Sequence, residues 1–346
     1  PPTPPVPPTN SAQPTFPLGT DDATRTREAT LAYNAGLAAL KKNDWNLAAQ
    51  NFGKAAALSP DDAGALSFLG YVRLQQKRWD EALQALLAAK ETGKNLDART
   101  QAQLLNNIGF ARWNKDQFPE AKAAFTSALE LDKTYFDARY NLAFALLSRD
   151  QYTDALPHLR QLATQNPKDG AIQDGIAESL EKTGNLAGAL GAYKKSLELE
   201  PKNETYRFKF ALALVQSDRR ADAIAQLKLL LAQNPNNAPA LLQLGDLHLK
   251  SNRWGDAAAA LKRYVALRGN DFTGRFNLGV AFDYSAKFDD ALAQSKFKDA
   301  AVQYKKLIAI QPADLEARSG LGRAYYQDKD LAGAEGVYRE IIKRDP

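Results

Sequence analysis

His158 and His248 are the only histidines in a chain of 346 residues that has no cysteine, so acid–base or metal chemistry would have to start from them. About ninety residues separate the two. A general base needs a nucleophile or an orienting group at hydrogen-bond distance, and a zinc site needs three or four ligands brought together. Neither histidine has such company in its own segment, and no Gly-rich phosphate loop of the GxxxxGKS kind occurs. No cofactor, no metal and no catalysis are expected. Asp174, Glu178 and Glu181, spaced by four and three, line three carboxylates along one face of a helix. Such a row suits a basic segment of a partner or a solvated face; a straight helix does not wrap a cation as a loop does.

The elements that would position these groups are read from Ala102–Tyr135. Leu105, Ile108, Gly109 and Arg112 recur at helical spacing, Asn114, Lys115 and Asp116 interrupt it, and Ala121, Ala124, Phe125, Ala128 and Leu129 resume it. Pro119 opens the second half, where the first helical position has no N–H bond to lose. A helical hairpin follows, with Gly109 and Ala121 leaving room for close approach and Phe118 and Phe125 on the flanks. Mostly at steps of 34 residues, the place of Gly109 is held by Gly36, Gly70, Ala143, Ala177, Ala211, Gly245, Gly279 and Gly322. The place of Ala121 is held by Ala48, Ala82, Ala155, Ala189, Ala223, Ala257, Ala291 and Ala334, and Pro60, Pro167, Pro201, Pro235, Pro312 and Pro346 close units.

This pattern resembles the tetratricopeptide repeat family over roughly residues 29–346, in nine tandem units. Lys94, Lys133 and Gly269 depart from its closing Pro, and Arg220 from the aromatic given by Trp45, Trp79, Phe118, Tyr152 and Trp254. The resemblance implies an all-α, right-handed superhelical solenoid of helical hairpins over 25–346, whose first helices line a concave face. On the family pattern that face takes Tyr33, Asn34 and Leu37, then Ser67, Phe68 and Tyr71, then Asn106, Asn107, Phe110 and Trp113, then Tyr140, Asn141 and Phe144. Asn34, Asn107, Asn141 and Asn277 share one place, and an Asn offers both a donor and an acceptor to the amides of an extended peptide. The aromatics supply anchor pockets or pack on the next hairpin. Asp174 and Glu178 continue the candidate surface. Chaperone-binding members grip a terminal carboxylate with a first Lys; the matching places here are Tyr33, Ser67, Asn106, Tyr140, Asp174, Phe208, Leu242, Phe276 and Ser319, none of them basic. That role is disfavoured.

Two places break the step. Asp97–Gln101 add five residues, with Asp97 as an N-cap, and should lengthen the following helix by more than a turn. In the eighth unit AKFDDALAQ is followed by SKFKDAAVQ, so Phe288 and Ala291 repeat as Phe297 and Ala300. Either copy could start the second helix, and one helix should be longer by about 2.5 turns.

Residues 1–24 read as a Pro-rich disordered linker or spacer, with eight of the seventeen prolines in the first twenty positions. Extended as polyproline II, the first twenty residues span roughly 60 Å. Net charge is +5, from 45 basic and 40 acidic residues, and basic doublets such as Lys41-Lys42 and Lys305-Lys306 are scattered. Nucleic-acid binding is therefore not expected. No stretch reaches 18 consecutive apolar residues, so no membrane insertion is expected. Absence of both Cys and Met suits an oxidising compartment, and a chain starting at Pro1 suits removal of a signal peptide or another cut. The bacterial periplasm or cell envelope is the expected location, the cytoplasm the alternative. The partner is expected to be a protein or peptide held in the concave groove. Rival readings are a structural subunit of a multiprotein envelope complex, held through its convex face or C-terminal end, and a regulatory subunit of an enzyme on another chain.

Overall fold

The computed structural model describes residues 20–287 and 293–344. The spacer reading of residues 1–19, Phe288, Ala291 and Pro346 lies outside them. Among the described residues all regular structure is helical. The chain divides into two compact units between Ala192 and Tyr193. The first holds α1 (Thr20–Lys41) with α2 (Trp45–Leu58), α3 (Ala63–Gln75) with α4 (Trp79–Thr92), α5 (Ala98–Asn114) with α6 (Phe118–Leu131), α7 (Phe136–Leu147) with α8 (Tyr152–Gln165), and α9 (Gly170–Lys182). The division falls inside α10 (Leu186–Leu199). The second unit continues with α11 (Glu204–Gln216), α12 (Arg220–Gln233), α13 (Ala238–Lys250), α14 (Trp254–Leu267), α15 (Phe272–Lys287), α16 (Ala293–Ile310), α17 (Leu315–Gln327) and α18 (Leu331–Arg344). Within each unit every helix packs on the one before it, and first helices of successive hairpins touch, as α3 with α5 and α5 with α7. Helix α1 starts at Thr20, inside the segment read as spacer.

Short polar side chains set the helix starts. Asp62, Asp97, Asp169, Asn203, Asn237 and Asp314 each cap a first helix by accepting from backbone N–H groups of its first turn. With Asp97 as its cap, α5 has 17 residues against 13 in α3, so the five-residue insertion lengthens it by about one turn. Among the described residues, eight of the turns inside hairpins put one residue in the left-handed region. Gly184 takes it once; elsewhere Asn43, Lys77, Asp116, Asp150, Asp218, Asn252 and Lys329 do. Lys77, with φ 58°, is exposed and has neither the short polar side chain nor the missing Cβ that tolerates this conformation. Lys77→Gly is expected to raise stability by about 0.5–1 kcal/mol, read as a higher urea midpoint; an unchanged or lower midpoint contradicts the strain assigned to this turn.

The small residues on first helices make room chiefly for a side chain. A Cβ at Gly36 would stand 2.8 Å from Phe52, at Gly70 2.5 Å from Leu86, at Gly109 2.6 Å from Phe125, at Gly245 2.5 Å from Leu261 and at Gly322 2.8 Å from Tyr338. Each of these large residues lies four places after the Ala of its second helix, and Ala48, Ala82, Ala121 and Ala257 are themselves fully buried.

The eighth hairpin corrects two expectations. Its large residue is Tyr304, which a Cβ at Gly279 would approach to 3.0 Å, so the Ala four places earlier is Ala300, fully buried, and not Ala291. The second copy therefore takes the packing place. The extra length is also shared: α15 has 16 residues where α13 has 13, and α16 has 18 where α14 has 14. Splitting the insertion between the two helices keeps Gly279 opposite Tyr304.

Candidate partner-binding surface

The first-helix residues of α1, α3, α5, α7 and α9 fall into a buried set and a more exposed set. Tyr33, Tyr71, Asn106, Asn107, Phe110, Tyr140 and Asn141 are buried. Tyr33 sits edge-on to Phe52 and Phe68 at 5.6 and 5.7 Å, and Tyr71 and Phe110 stand edge-on to Trp45 and Trp79, each at 6.3 Å. These rings join one hairpin to the next. Burial, with the Asp62 charge, pushes the Tyr33 phenol up to about 12, as expected of a ring held in the wall. Asn34 is exposed, while Trp113, Phe144, Asp174 and Glu178 are half-buried. Phe144 stacks on Tyr140 at 4.3 Å, so the buried ring backs the open one.

The row of asparagines does not share one environment. Asn141 Nδ2 donates to Asn106 Oδ1 at 3.0 Å, across α5 and α7, with both side chains fully buried. That bond joins two neighbouring hairpins through their polar groups. In the second unit Asn277 Nδ2 points toward Asp246 Oδ1 at 3.5 Å. Asn34 is the exposed member. Beside the acid row, Tyr152 Oη donates to Asp150 at 2.6 Å; that bond first, then burial and the charges of Asp150, Glu178 and Glu181, pushes its phenol up to about 12.

The histidines lie in different units and serve different elements. His248 on α13 is buried, and burial pushes its pKa below the ordinary value, with Arg253 and Lys228 adding to the effect and Asp256 opposing it. His158 on α8 is half-buried and also shifted down, by burial and then by Arg139, against the pull of Asp154. A folded-state pKa below the unfolded value near 6.5 means the folded chain binds fewer protons. Stability is therefore expected to fall as pH drops from about 7.5 to about 5.5, and His248→Gln to flatten that slope in urea midpoints taken across the window. A slope the substitution leaves untouched removes His248 from the account. Among the described residues no three His, Cys, Asp or Glu side chains are gathered as a metal site, and no helix is long and apolar enough to cross a membrane.

Sequence reasoning passed over a set of arginines. Arg139, Arg207, Arg275 and Arg318 stand four places before the small residue of α7, α11, α15 and α17. Each donates to the backbone carbonyl six residues earlier, in the loop that ends the previous hairpin: Arg207 to Pro201 at 2.6 Å, Arg318 to Pro312 at 2.6 Å, Arg139 to Lys133 and Arg275 to Gly269. The other end of the fork reaches the second helix, Arg207 to Gln226 at 2.9 Å, Arg275 to Gln303 at 3.1 Å and Arg139 to His158 Nδ1 at 3.4 Å. A guanidinium bridging loop and helix satisfies a loop carbonyl, of Pro, Lys or Gly, that has no helical donor where the previous hairpin ends. The recurrence of Arg at one repeat place was the available signal.

Two family models, both described as tetratricopeptide repeat, match this architecture, one over residues 33–96 and 285–346, the other over 115–179 and 214–273. The chain belongs to the tetratricopeptide repeat family. The repeat chain is 25% identical over 199 residues to the Hsp70-Hsp90 organizing protein of Triticum aestivum, covering 48% of this chain and 34% of that one. To Hsp70-Hsp90 organizing protein 1 of Glycine max it is 26% identical over 200 residues, covering 48% and 35%. It thus spans about a third of the length of these relatives. Among solved structures it is similar to a tetratricopeptide repeat protein from Parabacteroides merdae, with TM-score 0.51, 16% identity and coverage of 74% of this chain and 99% of that one. It is also similar to YrrB, described as a TPR protein with an unusual peptide-binding site, with TM-score 0.50, 22% identity and coverage of 56% and 97%. These two likenesses are of fold. Membership of the family supports a protein-interaction scaffold.

Proposed function

We propose that this tetratricopeptide repeat chain is a non-enzymatic scaffold that holds an extended segment or a helix of a partner protein along the first helices of its hairpins. The observation that carries the reading is the contrast within the first unit. Buried Tyr71, Asn106, Phe110, Tyr140 and Asn141 fix the first helices, while Asn34 is exposed and Trp113, Phe144, Asp174 and Glu178 are half-buried at the same surface. Rigid aromatic side chains backed by packed rings are the type of group that carries most of the energy of an interface. The relatives named as organizing proteins support a protein as the partner. Lys is absent from the places where chaperone-binding members would hold a terminal carboxylate, so the partner is bound along its length and not by its end. The absence of Cys and Met suits a location outside the bacterial cytoplasm, in an envelope assembly.

Partners retained from native extract are to be identified by mass spectrometry, and the affinity of the principal one measured against Trp113→Ala and Phe144→Ala. Each is expected to weaken binding by about 30-fold or more with helicity unchanged, as for a hot-spot residue. Undiminished affinity in both variants rejects the surface. The structural-subunit rival is favoured by Leu331 and Ile342 on α18, which are 63% and 64% exposed. Loss of assembly on Ile342→Ser, with Trp113→Ala silent, would establish that rival instead.

A further inference from the structure

We propose that the cleft between α6, α7 and α8 is a second binding site, for a small organic acid made of an apolar body and one carboxylate. The cleft has a volume of about 640 Å³, within the range of small-ligand pockets. Leu129, Leu142 and Leu146 give it an apolar floor, and Arg139 and His158 lie along one wall. Arg139 decides the ligand. Like Arg207 and Arg318 it is buried, meets no anion and has an Nε without a partner, its own contacts being the Lys133 carbonyl and the neutral Nδ1 of His158; what distinguishes it is that it lines this cleft. A guanidinium taken out of water is costly unless an anion compensates it.

The nearby acids do not supply that anion. Asp154 is paired with Lys122 at 3.4 Å, and Glu130 lines the cleft without bonding Arg139. The fourth hairpin also differs from its equivalents. Lys133 stands where the sixth and ninth have Pro201 and Pro312, which adds a cation to the same lining, and the Arg139 contact to His158 is longer than that of Arg207 to Gln226. With Asp154 paired to Lys122, the cations Arg139 and Lys133 share the lining with the carboxylate of Glu130. One carboxylate is attracted; a run of acidic residues is repelled by Glu130 and has no use for the leucine floor. The ligand is accordingly a monoacid with a hydrocarbon part and not an acidic protein segment.

The two histidines make the test direct, because His158 reports on the cleft and His248, in the other unit, is an internal control. Octanoate, octanol and a capped hexaglutamate peptide are titrated into the full chain, following both imidazole signals by NMR across pH. Octanoate should move the His158 signal and raise its apparent pKa, since an added carboxylate joins Asp154 against Arg139 and Lys122, and should leave His248 in place. Arg139→Gln should weaken octanoate at least tenfold. Glu130→Gln should tighten it several-fold, a gain that no misfolded protein gives. The proposal is overturned by no His158 response to octanoate at about 10 mM, a level that would detect even a millimolar site. It is equally overturned if octanol raises the pKa as octanoate does, if a folded Arg139→Gln chain keeps its affinity, or if hexaglutamate binds in place of octanoate.

Discussion

Gly109→Ala destabilises the third hairpin by about 1–3 kcal/mol, and Phe125→Leu in the same chain restores most of that loss. The added methyl would stand 2.6 Å from Phe125 Cε1, on a ring that is fully buried and cannot swing aside. Something in the stack of α5 on α6 has to shift, and close-packed interiors resist such shifts. Other hairpins of the chain show the remedy. Ala143 is paired with Leu159 and Ala211 with Leu227, all four fully buried, so Ala on the first helix is compatible with Leu on the second. Phe125→Leu alone should cost about 1 kcal/mol for lost packing, and the double variant should be more stable than the sum of the singles by about 0.5–3 kcal/mol. Urea unfolding of the four chains gives that coupling. Additivity within about 0.5 kcal/mol would mean that Gly109 and Phe125 do not share a space, and the packing account of every hairpin would fall with it.

Tyr304→Ala costs about 3–5 kcal/mol, the largest effect expected of a single substitution in the second unit. The ring is fully buried between two glycines: a Cβ at Gly279 would come to 3.0 Å from it and one at Gly320 to 2.5 Å, so α15, α16 and α17 all close on this one side chain. Phe276 meets it edge-on at 6.2 Å. Nothing small can refill a site that both glycines have hollowed out for a ring. Val302, two residues away on the same helix and 45% exposed, is the control, and Val302→Ala should change stability by less than about 0.5 kcal/mol. In a repeat array the loss is local, so amide hydrogen exchange along α15 to α17 is the measurement to set beside the urea midpoint. Equal effects of the two substitutions would show that α16 is not seated by Tyr304, and that the second copy of the duplicated segment does not hold the packing place.

Some of this architecture follows from local chemistry alone. Asp97 at the head of α5 and the helical period through Leu105, Ile108 and Gly109 specify a capped helix whatever surrounds it. Repetition of Gly or Ala against Ala at fixed intervals then requires hairpins that stack, because one hairpin cannot cover its own apolar faces. Helix, turn and repeat are short-range properties, which is why they could be read in order along the chain.

The family and the run of hairpins thus follow from the order of residues along the chain alone. The tertiary structure decided which of two equally patterned segments packs: AKFDDALAQ and SKFKDAAVQ have the same apolar spacing, and only the gap at Gly279, filled by Tyr304, distinguishes them. It also decided that Asn34 faces outward while Asn141 is spent on Asn106, although both hold the same repeat place. The arginine bridges and the cleft before Arg139 belong to the same class. Exposure and pairing depend on atoms brought close from distant parts of the chain, and a repeat period states where a residue points within its own helix, not what the neighbouring helix sets against it.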